Sequence, residues 1–341
     1  MSAMHSQVIE RLALRNFRGV IKGELDLAPL TVLVGPNNSG KTTVLEALLL
    51  AHGFREVAGL DASRILSTIH ETLESGGLDH LVYGYGAKVT RAVVAFTVKG
   101  AYRALVIDVS KHRIDFYHAK GLDADKLLEM SRQELMKLER LGYTNRFTGG
   151  GGFSPLKVAV DVVLVRDDIL RYYQKFVYKV WTDLTNRGIT AATARWVSKI
   201  AGDDYLDVLA EPLGGKPALF LYKPDGTRIR LGDLGDGVQV LVTAKLVVDY
   251  LDPELVLWDD VEAHMNPRAL QLLALWLADL VDSGKQVVVS THSLEAAKLI
   301  TRVAEDAVLV KLSLEKGELK AQHIPPEELE KLEELGVDVR A

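Results

Sequence analysis

An α/β fold organised around a phosphate-binding loop is predicted by three observations. The stretch Gly35-Pro36-Asn37-Asn38-Ser39-Gly40-Lys41-Thr42-Thr43 fits the pattern G-x-x-x-x-G-K-[ST], set between the apolar run 30–34 and a helical segment at 44–52. Farther on, Leu255-Val256-Leu257-Trp258-Asp259-Asp260 reads as a buried strand ending in two carboxylates, and the apolar run 286–290 ends in Thr291-His292-Ser293 ahead of another helix. Buried strands alternating with helices predict a parallel core, and such a core places the loops after its strands along one edge.

Taken in order, residues 7–16 and 20–27 alternate apolar and polar residues and predict two paired strands with Gly19 near their turn. Run 30–34 predicts the strand that delivers the loop, followed by helices at 44–52 and 62–73. A glycine-rich loop at 75–86 precedes three antiparallel strands at 89–98, 102–109 and 113–118. Leucine spacing predicts a helix over 123–141, and Gly149 to Gly152 a flexible connector. Run 158–165 suits a buried strand, with helices at 168–184 and 191–200. A hairpin at 217–222 and 227–231, turned at Lys223-Pro224-Asp225-Gly226, leads to a helix through 248, and another helix spans 268–281. This order divides the chain into 1–120 (early strands, loop and antiparallel β subdomain), 121–152 (a short helical insertion with the glycine loop), 153–323 (a helical lobe and the acidic-strand core) and a tail, 324–341.

A chain of 341 residues with this apolar content can bury a substantial core, and a net charge of −5 excludes nucleic-acid coating by bulk charge while allowing a local basic groove. Without cysteine there is no disulfide framework, thiolate zinc site or thiol nucleophile. The opening Met1 to Ser6 has no basic-then-apolar signal pattern, and no apolar run reaches membrane-spanning length, so a cytoplasmic protein without a membrane role is expected. The helix near 169–181 interleaves basic and aromatic residues as a nucleic-acid surface does. Its apolar positions Ile169, Tyr173, Val177, Val180 and Leu184 keep helical spacing on one face, which favours an amphipathic core helix instead.

The chemistry follows from residue types. Glycines let the loop's N–H groups turn inward around a polyphosphate, and the helix beginning there adds a favourable dipole. Within Asn37, Asn38, Ser39, Gly40, Lys41, Thr42 and Thr43, the Lys41 ammonium matches the β- and γ-phosphates and the Thr42 hydroxyl matches Mg²⁺. Asp259 at its strand end is placed to hold that Mg²⁺, and Asp260 to orient and deprotonate an attacking water, with Glu262 as its rival. His292 stands where a γ-phosphate would lie. The segment Leu231-Gly232-Asp233-Leu234-Gly235-Asp236-Gly237-Val238-Gln239 opens a helix, an anion-binding shape that a plain turn also explains.

The ordered set resembles the ABC-type ATPase heads shared by SMC-like, RecF-like and OLD-type proteins. Leu14-Arg15-Asn16-Phe17-Arg18-Gly19 looks like their first-strand motif, 231–239 like their signature loop, 255–267 like their acidic strand with its E-x-H-x-x-P segment, and 290–293 like their switch-histidine loop. The signature and the lack of room for a coiled-coil arm between Gly121 and Gly152 bring the chain nearest the OLD-type heads, without the Toprim nuclease module that often follows them. The family usually has glutamate at Asp260, proline at Val261 and serine in the signature, where this chain has Gly235 and Asp236.

The resemblance implies an ATP-hydrolysing homodimer in which two heads sandwich two ATP·Mg²⁺, each held by one chain's loop and the partner copy's Gly235, Asp236 and Gly237, with Arg18 near the nucleotide. It implies a role in DNA repair or anti-phage defence, on DNA or through an effector protein. The other reading is a nucleotide-dependent dimerisation switch with negligible turnover. The absent N-K-x-D pattern favours ATP over GTP.

Overall fold

In the computed structural model, residues 8–71, 77–110, 113–145, 156–304, 307–325 and 328 are described. The connector at 149–152, the end of the 62–73 helix and nearly all of the tail lie outside the described residues.

Strands β1 (Ile9–Phe17) and β2 (Val20–Asp26) pair antiparallel about Arg18 and Gly19, and β3 (Leu30–Val34), buried throughout, runs into the phosphate loop. Helix α1 (Lys41–Leu49) begins inside the predicted loop, three residues earlier than apolar spacing indicated, because Gly40 takes a positive φ and caps it; α2 (Ala62–His70) follows. Strands β4 (Arg91–Val98), β5 (Ala101–Ser110) and β6 (Arg113–Lys120) form an antiparallel run.

The helix expected over 123–141 is instead α3 (Ala124–Glu129), α4 (Arg132–Leu135) and a strand, β7 (Glu139–Asn145), paired to β6. A capping box between Ser131 and Glu134 starts a new helix there. The leucines that mimic one helical face are divided: Leu127 and Leu135 cover the outer face of β4–β6, whereas Leu141 joins the main core from its strand.

Next come β8 (Val162–Val165), α5 (Asp167–Lys179), α6 (Trp181–Asn186) and α7 (Ile189–Ala201), the first two helices being the expected 168–184 helix broken at Val180. A small sheet of β9 (Asp207–Leu213), β10 (Lys216–Tyr222) and β11 (Arg228–Arg230) leads to α8 (Asp236–Leu251). The chain then forms β12 (Leu255–Trp258), α9 (Pro267–Asp282), β13 (Gln286–Ser290), α10 (Leu294–Val303) and the hairpin β14 (Ala307–Glu315) with β15 (Glu318–Ile324).

The large sheet has 12 strands in the order β7-β6-β5-β4-β1-β2-β15-β14-β3-β13-β12-β8. It is mixed: β8, β12, β13, β3 and β14 are parallel neighbours, and the β4–β7 meander joins through β1. Gln286, fully buried at the start of β13, closes the opposite edge by accepting from Ile9 N (2.9 Å) and donating to the carbonyls of Ile9 (2.9 Å) and Ala28 (3.1 Å). Likewise His52, just past α1, accepts from Val162 N at 3.1 Å and pins the start of β8. Trp276 of α9 meets Trp196 of α7 and Trp258 of β12 edge-on, so that lobe is bolted to the core by aromatic contact. Because the five parallel strands share a direction, Val34, Val165, Trp258 and Ser290 all end at one edge.

Candidate nucleotide site

At that edge, backbone geometry builds the loop first. Gly35 has φ +148° and a side chain there would strike the Leu312 carbonyl at 2.4 Å; Asn38 (φ 63°) and Gly40 (φ 97°) complete a turn that aims the first N–H groups of α1 outward. Lys41 Nζ donates to the carbonyls of Gly35 (2.8 Å) and Pro36 (3.0 Å), and burial pushes its ammonium below the ordinary lysine range against the pull of Asp260, Asp259 and Glu262. Ser39 Oγ is buried inside the loop without a partner among the described residues, a polar atom the fold leaves for a ligand or water.

The acidic strand end lies against it. Thr42 Oγ1 donates to Asp259 Oδ2 at 3.3 Å, Ser290 Oγ donates to Asp259 Oδ1 at 2.6 Å, and Arg166 Nη1 pairs with Asp259 Oδ2. A hydroxyl and a carboxylate oxygen side by side are hard oxygen donors of the kind that would suit Mg²⁺. Asp260 has φ 51°, which turns its side chain out of the strand direction, and its N–H donates to Ser290 Oγ (2.8 Å). Burial and then the neighbouring Asp259 raise the Asp260 carboxyl above the usual carboxylate range, and His292 Nε2 lies 3.5 Å from its Oδ1.

Glu262 points at the histidine loop, accepting from Thr291 Oγ1 (2.6 Å) and His292 N (2.7 Å). Around these groups is a cavity of about 510 Å³ lined by Arg18, Asn37 to Thr43, Ile69, His70, Arg166, His292 and Leu314. Arg18 is held there by Glu46 of α1, which also meets His70 Nε2 at 2.8 Å.

Gly235, Asp236 and Gly237 do not line this cavity. Gly235 caps α8 with open space around it, and Gly237 is pressed so close to the His264 carbonyl that a Cβ would meet it at 2.6 Å. His264 Nε2 in turn meets Asp167 of α5 at 2.8 Å. Sequence reasoning missed Arg166 and His70. Arg166 had a signal, since it directly follows buried run 158–165 just as Asp259 follows its own strand; His70 reaches the site only through tertiary folding of α2.

A parallel core with a phosphate loop, an acidic strand end and a histidine loop at its carboxyl edge, extended by an antiparallel meander, defines an ABC-type ATPase head of the SMC, RecF and OLD group. A profile described as "AAA ATPase domain" matches residues 8–135. The chain belongs to the family described as "AAA domain, putative AbiEii toxin, Type IV TA system", whose profile matches residues 106–297, more than half its length.

Among curated proteins, the chain is 24% identical to an OLD nuclease of Thermus scotoductus over 89% of this chain and 64% of that protein. It is 47% identical to the DNA replication and repair protein RecF of Erwinia tasmaniensis over 38% of this chain and 32% of that protein. The chain thus spans less than two thirds of the length of these relatives. Among solved structures, the Smc head domain of Pyrococcus furiosus bound to the C-terminal domain of ScpA superposes with a TM-score of 0.54 at 14% identity, covering 96% of this chain and 99% of that one. An SmcHead bound to the C-winged helix domain of ScpA gives 0.56 at 17%, covering 95% and 99%. At these identities the likeness is one of fold. No helix among the described residues is long and apolar enough to cross a membrane.

Proposed function

We propose that this ATPase head binds ATP with Mg²⁺ and hydrolyses it within a head-to-head dimer. The observation that carries this is the division of the motifs: Lys41, Thr42, Asp259, Asp260 and His292 converge at one edge, while Gly235 and Gly237 stand at the open end of α8, away from the chain's own cavity. In this reading the loop N–H groups and Lys41 hold the phosphates, Thr42 and Asp259 hold the metal, and the N-terminus of α8 meets the phosphate bound by the partner copy. Mg²⁺ held by Thr42 and Asp259 would supply neutralisation of the phosphate charge. Asp260 accepts the proton of the attacking water, which its raised pKa favours, and His292 contacts the γ-phosphate side. Glu262, engaged through both oxygens, holds the histidine loop in position.

The decisive experiment is light scattering with and without ATP and Mg²⁺ on the wild-type chain and Lys41→Ala. A wild-type monomer under saturating ATP and Mg²⁺ would count against the dimer, and retained nucleotide binding by Lys41→Ala would refute the loop assignment.

A switch with negligible turnover is the second reading, favoured by Asp260, one methylene shorter than the family's glutamate. For a nucleic-acid role, the RecF relative is named for DNA replication and repair. The support within this chain is local: Arg171, Lys175, Tyr178 and Lys179 of α5 and Arg230 line a groove of about 910 Å³ beside the loop that opens α8. The buried face of α5 is Ile169, Tyr173 and Val177, as the amphipathic reading of this helix expects, which leaves Arg171, Lys175, Tyr178 and Lys179 on the groove side. ATPase rates with and without duplex or single-stranded DNA separate the two readings, because stimulation requires both turnover and a DNA contact.

A further inference from the structure

We propose that Arg166 is a positioning residue that competes with Mg²⁺ for Asp259 Oδ2 and gives up that oxygen when metal and nucleotide enter; this rests on the nucleotide reading above. Asp259 is buried, and both its oxygens are engaged, Oδ1 by Ser290 Oγ and Oδ2 by Thr42 Oγ1 and Arg166 Nη1. The two protein oxygens assigned to the metal are therefore bonded to one another, with a guanidinium on the carboxylate. A buried carboxylate next to a second one, Asp260, requires a counter-charge. Lys41 gives its hydrogen bonds to the Gly35 and Pro36 carbonyls, and Arg166 provides the ion pair. A divalent cation on Oδ2 would repel the guanidinium at close range, so metal and Arg166 exclude each other there.

The position of Arg166 gives its displacement a consequence. It joins β8 to α5 and is anchored by Nε to Asp168 in the first turn of that helix at 2.8 Å. In the same turn, Asp167 meets His264, whose carbonyl abuts Gly237 at the start of α8. Arg166 also lines the cavity with Thr42, Thr43 and His292, so a guanidinium released from Asp259 has the incoming phosphate charge within the same cavity. The dipeptide Arg166-Asp167 thus touches both the Asp259 carboxylate and the His264 segment that packs on the start of α8.

The test uses the full chain and a fluorescent ATP analogue at fixed concentration, titrated with Mg²⁺ and separately measured in EDTA. Arg166→Gln should lower the Mg²⁺ concentration for half-maximal binding about fivefold or more and weaken binding in EDTA. Arg166→Lys, which keeps a cation, should fall between Arg166→Gln and wild type. An unchanged or increased Mg²⁺ requirement in a folded Arg166→Gln chain overturns the inference while leaving the nucleotide reading standing. Failure of the wild-type chain to bind the analogue at any Mg²⁺ concentration overturns both. If Arg166→Gln fails to fold, Arg166→Lys decides alone, a Mg²⁺ requirement no lower than wild type overturning the proposal.

Discussion

Glu262 Oε1 accepts a hydrogen bond from the backbone N–H of His292 at 2.7 Å. With Thr291 Oγ1 donating to the other oxygen at 2.6 Å, the glutamate clamps the loop after β13 to the segment after β12. This gives it a structural role beside the chemical one proposed for Asp260. Glu262→Ala should therefore lose about 1.5–3 kcal/mol of stability, the range for hydrogen bonds to a charged group, together with activity. Glu262→Gln, which still accepts from both donors, should recover most of the stability. Denaturant titration of the two variants measures it; equal stability of Glu262→Ala and wild type would refute the clamp.

Asp260→Asn should behave oppositely. Its folded pKa is raised, by burial first and by Asp259 next, so the folded state binds the extra proton. The stability it contributes is complete below the ordinary carboxylate pKa of 3.8 and is lost as pH rises through the raised folded value. Asparagine removes that loss, so the variant should melt at higher temperature than wild type at pH 7 and gain nothing near pH 3.8. It should also accumulate as an ATP-bound dimer on size exclusion with light scattering. A variant that hydrolyses ATP at the wild-type rate would remove Asp260 from the chemistry.

The elements that carry the site were the legible ones, and for a physical reason. Buried parallel strands such as β3, β12 and β13 read as continuous apolar runs, and the residues just past them must fall at one edge. The region after β6 was not legible, because Leu127, Leu135 and Leu141 keep helical spacing while belonging to two helices and a strand. Strand β9 went unread because its exposed half, with Pro212, shows little alternation. Arg166 follows its buried run as Asp259 follows its own, but it is the register of β8 beside β12 that shows the two facing each other.

His52 gives the fold an acid-sensitive joint. Burial, then Arg55 and Lys157, lowers its pKa from 6.5 to about 3, while Asp161, 3.4 Å away, is itself engaged by Arg55 and Lys157. The neutral ring accepts from Val162 N, so this contribution is fully present above pH 6.5 and is lost as pH falls toward 3. The loss, on the order of a few kcal/mol over the whole window, should appear as a falling melting temperature between pH 6.5 and 4.5. His52→Gln, which can still accept from Val162 but does not titrate, should flatten that slope; an unchanged slope would assign the acid sensitivity elsewhere, for example to His80, whose pKa burial also lowers, to about 4.

The proposed composite site makes a prediction that separates folding from assembly. Gly235 has φ −59° and ψ 147°, values open to any residue, and a Cβ there meets nothing within 4 Å among the described residues. Gly235→Trp should therefore keep wild-type stability and wild-type binding of ATP to the monomer, yet abolish ATP-dependent dimerisation, because the indole would occupy the space the second copy's phosphate needs. Gly237→Ala differs, since its Cβ would press on the His264 carbonyl at 2.6 Å. It should cost about 1–3 kcal/mol of stability as an overpacked contact and shift α8 in the process. Light scattering with ATP, set beside a thermal melt of each variant, distinguishes the two. A Gly235→Trp chain that still dimerises with ATP would place the second half of the site somewhere other than the start of α8.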